Sequence, residues 1–410
     1  MCNYYPARVG AAGESEVPRS RVLRLRARPT RLATTQLLPG AFGHGTSSPH
    51  FRGLEPLVAQ SRRGECGRTG VVVEQKDVVH VSAHFPDKET IRTALSLATR
   101  APSVHNSQPW RWRVGPDSLH LFADYDRRLP NTDPDNRDLL LGCGASLNHC
   151  VVGLAALGWQ TKIHRFPNPG DDEHLAAIEL HRHAAADVDV ALAAAIPRRR
   201  TDRRHYSSWP VPLGDIALMG ARAARAGVTL RRVEALTDLS NLVAQAARQH
   251  ATDYGYLSEL TTWSGRYGSK AGVPARSTPE SDPTAALPGR VFAGTALAQP
   301  PDAVPADDNA IVVALGTSDD DQMARLRAGE ATSLVLLTAT ALGLASCPIT
   351  EPLEVAQTRE AARATIFGAD AYPQILFRIG WAPVNADPLP STPRRSLSEV
   401  IQRLDGSAFD

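Results

Sequence analysis

The 410-residue chain is short of the residues that would assign it at once to several classes. It has five cysteines (Cys2, Cys66, Cys143, Cys150, Cys347) and no C-x-x-C pair, which excludes a disulfide framework and a zinc ribbon and points to a reducing compartment. Neither H-E-x-x-H nor a metal-spaced histidine cluster is present, and no G-x-G-x-x-G follows a strand. Three methionines are too few for an adaptable methionine-rich groove. A formal net charge of +2 gives no global field that would select nucleic acid or a membrane surface as partner. No stretch near the N-terminus joins a basic start, an apolar run and a small-residue cleavage site, so a cytoplasmic location is expected.

Two runs, 139–161 and 331–350, carry no Asp, Glu, Lys or Arg and are long enough to cross a bilayer. The first contains Asn148, His149 and Gln160, and the second contains six Ser/Thr and a proline, so both read as buried helices followed by turns, with no membrane.

Lysine is nearly absent, at 4 against 41 arginines, a bias of coding composition more than of a binding face. The charge is uneven: residues 1–80 hold 12 Lys+Arg and 6 Asp+Glu, whereas the rest holds 33 and 37. Residues 1–80, rich in Arg, Gly, Pro and Ser with no sustained period, read as a basic leader outside the fold, either a disordered tail or a start placed too early.

The folded body is expected from about Phe85, with a first half over 85–195 and a second over 196–400. Helices are expected at 88–100, 139–158, 213–224, 239–249, 256–263 and 330–342, with strands at 110–114, 119–123, 161–166, 176–181, 228–233, 310–315 and 374–379. An internal repeat shows in the two long apolar helices. Gly144 precedes Ala156-Leu157-Gly158 by fourteen residues, and Gly329 precedes Ala341-Leu342-Gly343 by the same interval. Between the middle helices and the strand at 310, the stretch 264–306 has twelve Gly or Pro in 43 residues and reads as a candidate lid or a passive insertion.

Four motifs carry chemistry. Ala101-Pro102-Ser103-Val104-His105-Asn106-Ser107-Gln108-Pro109-Trp110 has two prolines to fix the backbone and polar side chains at Ser103, His105, Asn106 and Gln108 to hold a planar, hydrogen-bonding heterocycle. Arg199-Arg200-Thr201-Asp202-Arg203 sets three guanidinium forks around a hydroxyl, a geometry suited to phosphate. Cys347-Pro348-Ile349-Thr350-Glu351-Pro352 reads as a turn whose amides and Thr350 face a ring edge. Thr392-Pro393-Arg394-Arg395 offers another phosphate contact. Asp319-Asp320-Asp321 is better explained by a helix start, which favours acids, than by metal.

Together APSVHNSQPW, RRTDR, PITE and TPRR resemble the flavin-dependent nitroreductase superfamily, in its Acg-like NAD(P)H nitroreductase branch, over roughly residues 85–400. The resemblance implies an α+β, nitroreductase-like FMN-binding fold. That family's usual homodimer holds two FMN at its interface, and this chain looks like such a dimer fused head to tail. The first half keeps APSVHN and the second keeps RRTDR, PITE and TPRR, so the implied site is a single FMN. Pro102, Ser103, Val104, His105, Asn106 and Gln108 would lie on one side of it. Arg199, Arg200, Thr201 and Arg203, with Pro348, Ile349, Thr350, Glu351 and Arg394 or Arg395, would lie on the other. NADPH or NADH is the implied electron donor and a small molecule the acceptor: a nitroaromatic, a quinone or another oxidant. The duplication makes a separate homodimer unnecessary, so a monomer suffices. No catalytic acid or base is assigned, and His105 is expected to be a neutral structural histidine. The alternative is a non-catalytic protein that sequesters FMN under the 264–306 lid.

Overall fold

The structure, a computed structural model, describes residues 85–265, 269–282, 284–300, 303 and 305–409. The basic leader expected at 1–80 lies outside the described residues. Helix α1 (Lys88–Ala98) starts where the Asp87 carboxylate accepts the Thr90 amide and stops short of Pro102. Strands β1 (Trp110–Val114) and β2 (Ser118–Ala123) follow, then α2 (Arg137–Ala156), β3 (Trp159–Arg165), β4 (His174–Arg182) and α3 (Asp187–Ala195).

The second half runs α4 (Leu213–Arg225), β5 (Thr229–Arg232), α5 (Leu236–His250), α6 (Tyr254–Trp263), β6 (Ile311–Thr317), α7 (Gln322–Ala341) and β7 (Ala345–Ile349). It continues through α8 (Glu351–Glu354), α9 (Ala356–Phe367), β8 (Tyr372–Gly380), α10 (Leu397–Val400) and β9 (Ile401–Arg403).

The repeat is visible in the sheets. One sheet has the order β3-β4-β2-β1-β9 and the other β7-β8-β6-β5; the four strands that correspond pair antiparallel throughout in both, and β9 is added in parallel at the edge of the first. Each half is helix, two strands, long helix, two strands. The second half adds α5, α6 and the Gly/Pro-rich stretch between its first two strands, and α8 and α9 between its last two.

The two long helices cross at the glycines that mark the repeat. A Cβ on Gly144 would stand 2.0 Å from the Leu326 carbonyl oxygen, and one on Gly329 would stand 2.2 Å from that of Leu141. The contact is symmetric, and only a bare Cα at each position lets the backbones touch. One step away, Ser333 donates to Asn148, 185 residues earlier, and bonds the His149 ring. Both helices are buried almost all round beyond their first turns, hence the uncharged runs from Leu139 in α2 and from Ala331 in α7. Among the described residues, α2 is the one helix long and apolar enough to cross a membrane, and 83% of its most apolar window is buried in the protein.

Three features depart from the sequence reading. Cys347-Pro348-Ile349 is the end of strand β7 and not a turn; the strand lies at the sheet edge, where proline removes no needed ladder bond. Helices α3 and α9 replace expected loops. The chain end also crosses the 195/196 boundary, because β9 pairs in parallel with β1 in the first half's sheet, beyond the expected limit at 400.

Candidate functional site

The APSVHNSQPW segment leaves α1 in a strained path. His105, Asn106 and Gln108 have φ of 47°, 53° and 54°, in the left-handed region that costs a side-chain-bearing residue about 1 kcal/mol or more. The second half holds them there. Asn106 Nδ2 donates to the carbonyls of Gly272 (3.1 Å) and Pro393 (3.2 Å), and Gln108 Nε2 to that of Lys270 (2.9 Å). Gln108 Oε1 accepts the Arg395 amide, and Ser103 Oγ accepts the Gln108 amide. The Asn106 and Gln108 side chains therefore fasten the loop, and Gln108 lies outside the cavity below. Gln108 is therefore drawn away from the expected ring contact, while Asn106 still lines a cleft adjoining that cavity.

The loop forms one side of a cavity that opens to solvent at its mouth. Pro102, Ser103, Val104 and His105 line one wall; Thr201 and Arg203 line another, together with Pro348, Ile349, Thr350 and Glu351. Helix α2 contributes Asp138, Leu141 and Gly142. Residues 279–282 and 284–292 close over it with Glu280, Asp282, Leu287, Arg290 and Phe292.

An adjoining cleft shares Pro102, Ser103, His105, Thr201 and Arg203 with the cavity and is lined further by Arg100, Asn106, Arg199, Arg200 and Arg394. Among the described residues, no acidic side chain lines it. The C-terminal end of α3 delivers Arg199, whose amide bonds the Ala195 carbonyl. Asp202 is neutralised by Arg204 (2.8 Å) and tied by its amide to Ser346.

Arg394 spends its donors on the carbonyls of Thr99, Arg100 and Ala101, which α1 leaves unsatisfied at its end, and on Asn106 Oδ1. Arg199 is different: Nε and Nη1 are buried with no hydrogen-bond partner, and Nη2 reaches only the Arg100 carbonyl at 3.4 Å. Burial, then Arg200 and Arg100, pulls Arg199 down to about 10; burial, then Arg199, Arg100 and Arg200, pulls Arg394 to about 9. Arg200 bonds the Leu389, Pro197 and Arg199 carbonyls. Arg395 does not reach the cleft. It pairs with Asp124 at 3.0 Å and supports the Gln108 carbonyl, so of the two candidate C-terminal arginines only Arg394 is at the site.

At the other end, Arg290 of the closing stretch pairs with Glu354 and donates to Thr350 Oγ1 and Tyr256 Oη, both at 3.1 Å. Phe292 lies under the Arg203 guanidinium, 4.9 Å from its ring centre, and edge-on to His105. Burial, with Arg290 and Arg203 nearby, holds His105 well below the ordinary histidine range, so its ring is neutral. Glu351 starts α8 and contacts His250 at 3.4 Å. Among the described residues no group of His, Cys, Asp and Glu is placed to hold a metal. Asp321 caps α7 and Asp320 pairs with Arg325 and Arg137.

Sequence reasoning missed Arg100, Asp138, Arg290, Phe292 and Glu354. Arg100 adjoins the first motif and could have been added to it. The others come together only through folding.

An anion's phosphate end fits the arginine cleft: it would supply acceptors to Arg199's idle nitrogens and offset a cluster with no counter-charge. The wider cavity, apolar at Leu141, Ile349 and Phe292 with a few polar groups, suits a ring system.

No family model matches the chain. It is 64% identical over 330 residues to "Putative NAD(P)H nitroreductase Rv3131" of Mycobacterium tuberculosis, covering 80% of this chain and 96% of the relative. It is 38% identical over 323 residues to "Putative NAD(P)H nitroreductase acg" of the same organism, covering 76% and 95%. Among solved structures, the FMN-dependent nitroreductase NfnB of Mycobacterium smegmatis, crystallised with NADPH, is 19% identical. That match covers 53% of this chain and 99% of that one, with a TM-score of 0.34.

Proposed function

The chain belongs to the family of these mycobacterial NAD(P)H nitroreductases, and from that premise we propose that it is an FMN-dependent NAD(P)H oxidoreductase with one flavin site per chain. The observation that carries the reading is Arg199: two buried guanidinium nitrogens without partners, in an arginine cleft without acids, opening into a cavity sized for a ring. Arg199, Arg200 and Arg203 with Thr201 would hold the phosphate of FMN. Arg394 works mainly by pinning the end of α1 beside it. Pro102 to His105, Pro348 and Ile349 would line the ring, and Thr350 and Glu351 its polar edge. When bound, the flavin supplies two-electron redox chemistry between a nicotinamide and an oxidised acceptor. The chain's own part is to bind, to orient and to exclude water; the neutral His105 is a wall and not a base. The acceptor class is a nitroaromatic, a quinone or a related small oxidant.

A second reading is favoured by one observation. Arg290 anchors the 279–292 stretch over the cavity through Glu354, Thr350 and Tyr256. If that anchor holds, a nicotinamide has no path to the ring and the protein sequesters FMN.

Anaerobic stopped-flow absorbance with NADPH or NADH separates the two. Bleaching of the flavin supports the oxidoreductase. A flavin reduced by dithionite but by neither nucleotide supports sequestration. Arg290→Gln should then restore bleaching.

A further inference from the structure

We propose that Asp138 is the catalytic acid of this cavity, the group that gives the acceptor its proton. The proposal rests on the oxidoreductase reading. Asp138 lies in the first turn of α2, on the cavity wall beside Leu141 and Gly142. Its side chain is partly exposed there and, among the described residues, has no hydrogen-bond partner.

The groups around it are already committed. Asp133, in the loop before α2, accepts the Leu139 amide at 2.8 Å. Glu354, on α8, takes Thr350 and Arg290 on one oxygen, while the other is buried with no hydrogen-bond partner. The Arg137 guanidinium is turned to Asp320 and Gln374, and Arg290 to Glu354. The imidazoles nearby add little: His105 is neutral, and His250 sits against Glu351.

Asp133, Asp138, Glu351 and Glu354 thus share a poorly hydrated region in which, among the described residues, Arg290 pairs directly with Glu354, while Arg137, paired with Asp320, offsets Asp138 less than burial and the neighbouring carboxylates raise it. Four carboxylates there would repel one another strongly, and a proton on one of them relieves the region. Asp138 is the carboxyl left without a donor, and it is also the one open to the cavity. Burial, then Asp133 and Glu354, holds it well above the usual carboxylate range.

A resident proton at that wall meets a chemical need. Reduction of a nitro group to a nitroso group takes two electrons and two protons and releases one water. Hydride originating from NAD(P)H brings both electrons and one proton. The second proton comes from Asp138: its O–H bond breaks, an O–H bond forms on the nitro oxygen, and the acceptor's N–O bond breaks as water leaves. The carboxylate regains its proton from water at the cavity mouth.

The test uses the FMN-loaded full chain, wild type against Asp138→Asn and Asp138→Glu. After anaerobic reduction with NADPH, reoxidation by nitrofurazone is followed at the flavin band across pH. Reoxidation of Asp138→Asn should be slower by about a hundredfold, with the solvent isotope effect and the fall at high pH both lost, and Asp138→Glu should recover much of the rate. Infrared spectra of the flavin-free proteins at neutral pH give an independent readout. The carbonyl stretch of a protonated carboxyl should be present in the wild type and absent from Asp138→Asn. Equal reoxidation of wild type and Asp138→Asn, or an infrared band that survives the substitution, overturns the assignment alone. Failure of both NADPH and NADH to reduce the wild-type flavin overturns the oxidoreductase reading and this assignment with it.

Discussion

Replacing Arg199 by methionine should make the flavin-free protein more stable and the flavin-bound protein harder to form. Methionine keeps the apolar stem but removes a charge that nothing in the cleft balances. The guanidinium falls from 12.5 to about 10 on folding, equivalent to about 3 kcal/mol of charge-burial penalty. A base with a lowered folded pKa loses stability as pH falls through the folded value. At neutral pH, well below about 10, the whole penalty applies. The substitution gives up one long bond to the Arg100 carbonyl, worth about 1 kcal/mol at most, so the expected net gain is about 2 kcal/mol. Denaturant titration of the flavin-free chains reads this as a higher midpoint at unchanged slope. FMN binding should move the other way. Two charge-assisted bonds to phosphate, at about 1.5 kcal/mol or more each, correspond to a loss of at least about a hundredfold in affinity. Inorganic phosphate should stabilise the wild type saturably and leave the variant unmoved. A variant that is less stable when flavin-free and binds FMN with wild-type affinity would refute the assignment of the cleft.

Gly144→Ala should destabilise the protein by about 2 kcal/mol, because overpacking against the Leu326 carbonyl at about 3 kcal/mol exceeds the roughly 1 kcal/mol gain in helix propensity. Gly220→Ala, on α4 with its nearest neighbour at 3.9 Å, should stabilise by up to about 1 kcal/mol in the same denaturation assay. Asp133 is raised from 3.8 to about 6 by burial, so the folded state holds the extra proton between those values and stability falls as pH rises through about 6. Asp133→Asn, which keeps an acceptor for the Leu139 amide, should flatten that slope in pH-dependent melting curves. Removing residues 401–410 should weaken flavin retention as well as stability, since β9 ties the Arg394 segment to β1; equilibrium dialysis of FMN checks it.

Much of this protein follows from its sequence. Long uncharged runs must be buried helices, and their matched glycines mark a duplication because a close helix crossing tolerates no Cβ at either side. RRTDR is legible as a cluster of arginines beside a helix end, the basis of the proposed anion site, and APSVHNSQPW as a loop between α1 and β1. Folding alone settles which arginine remains free. Arg394 and Arg395 are neighbours in sequence, yet one caps α1 and the other pairs with Asp124, while in the cleft Arg199 keeps two buried nitrogens without partners and Arg100 one. Asn106 and Gln108 read as ligand-facing groups but are consumed by carbonyls more than 160 residues away. Arg290, Phe292, Asp138 and Glu354 have no motif around them. Their meaning arises from a long insertion folding back over a cavity that both halves build, and contacts between segments so distant leave no local period or spacing to read. Composition and periodicity set what had to be buried and what could bend; the tertiary structure decided which charges met a partner and which were left to face the cavity.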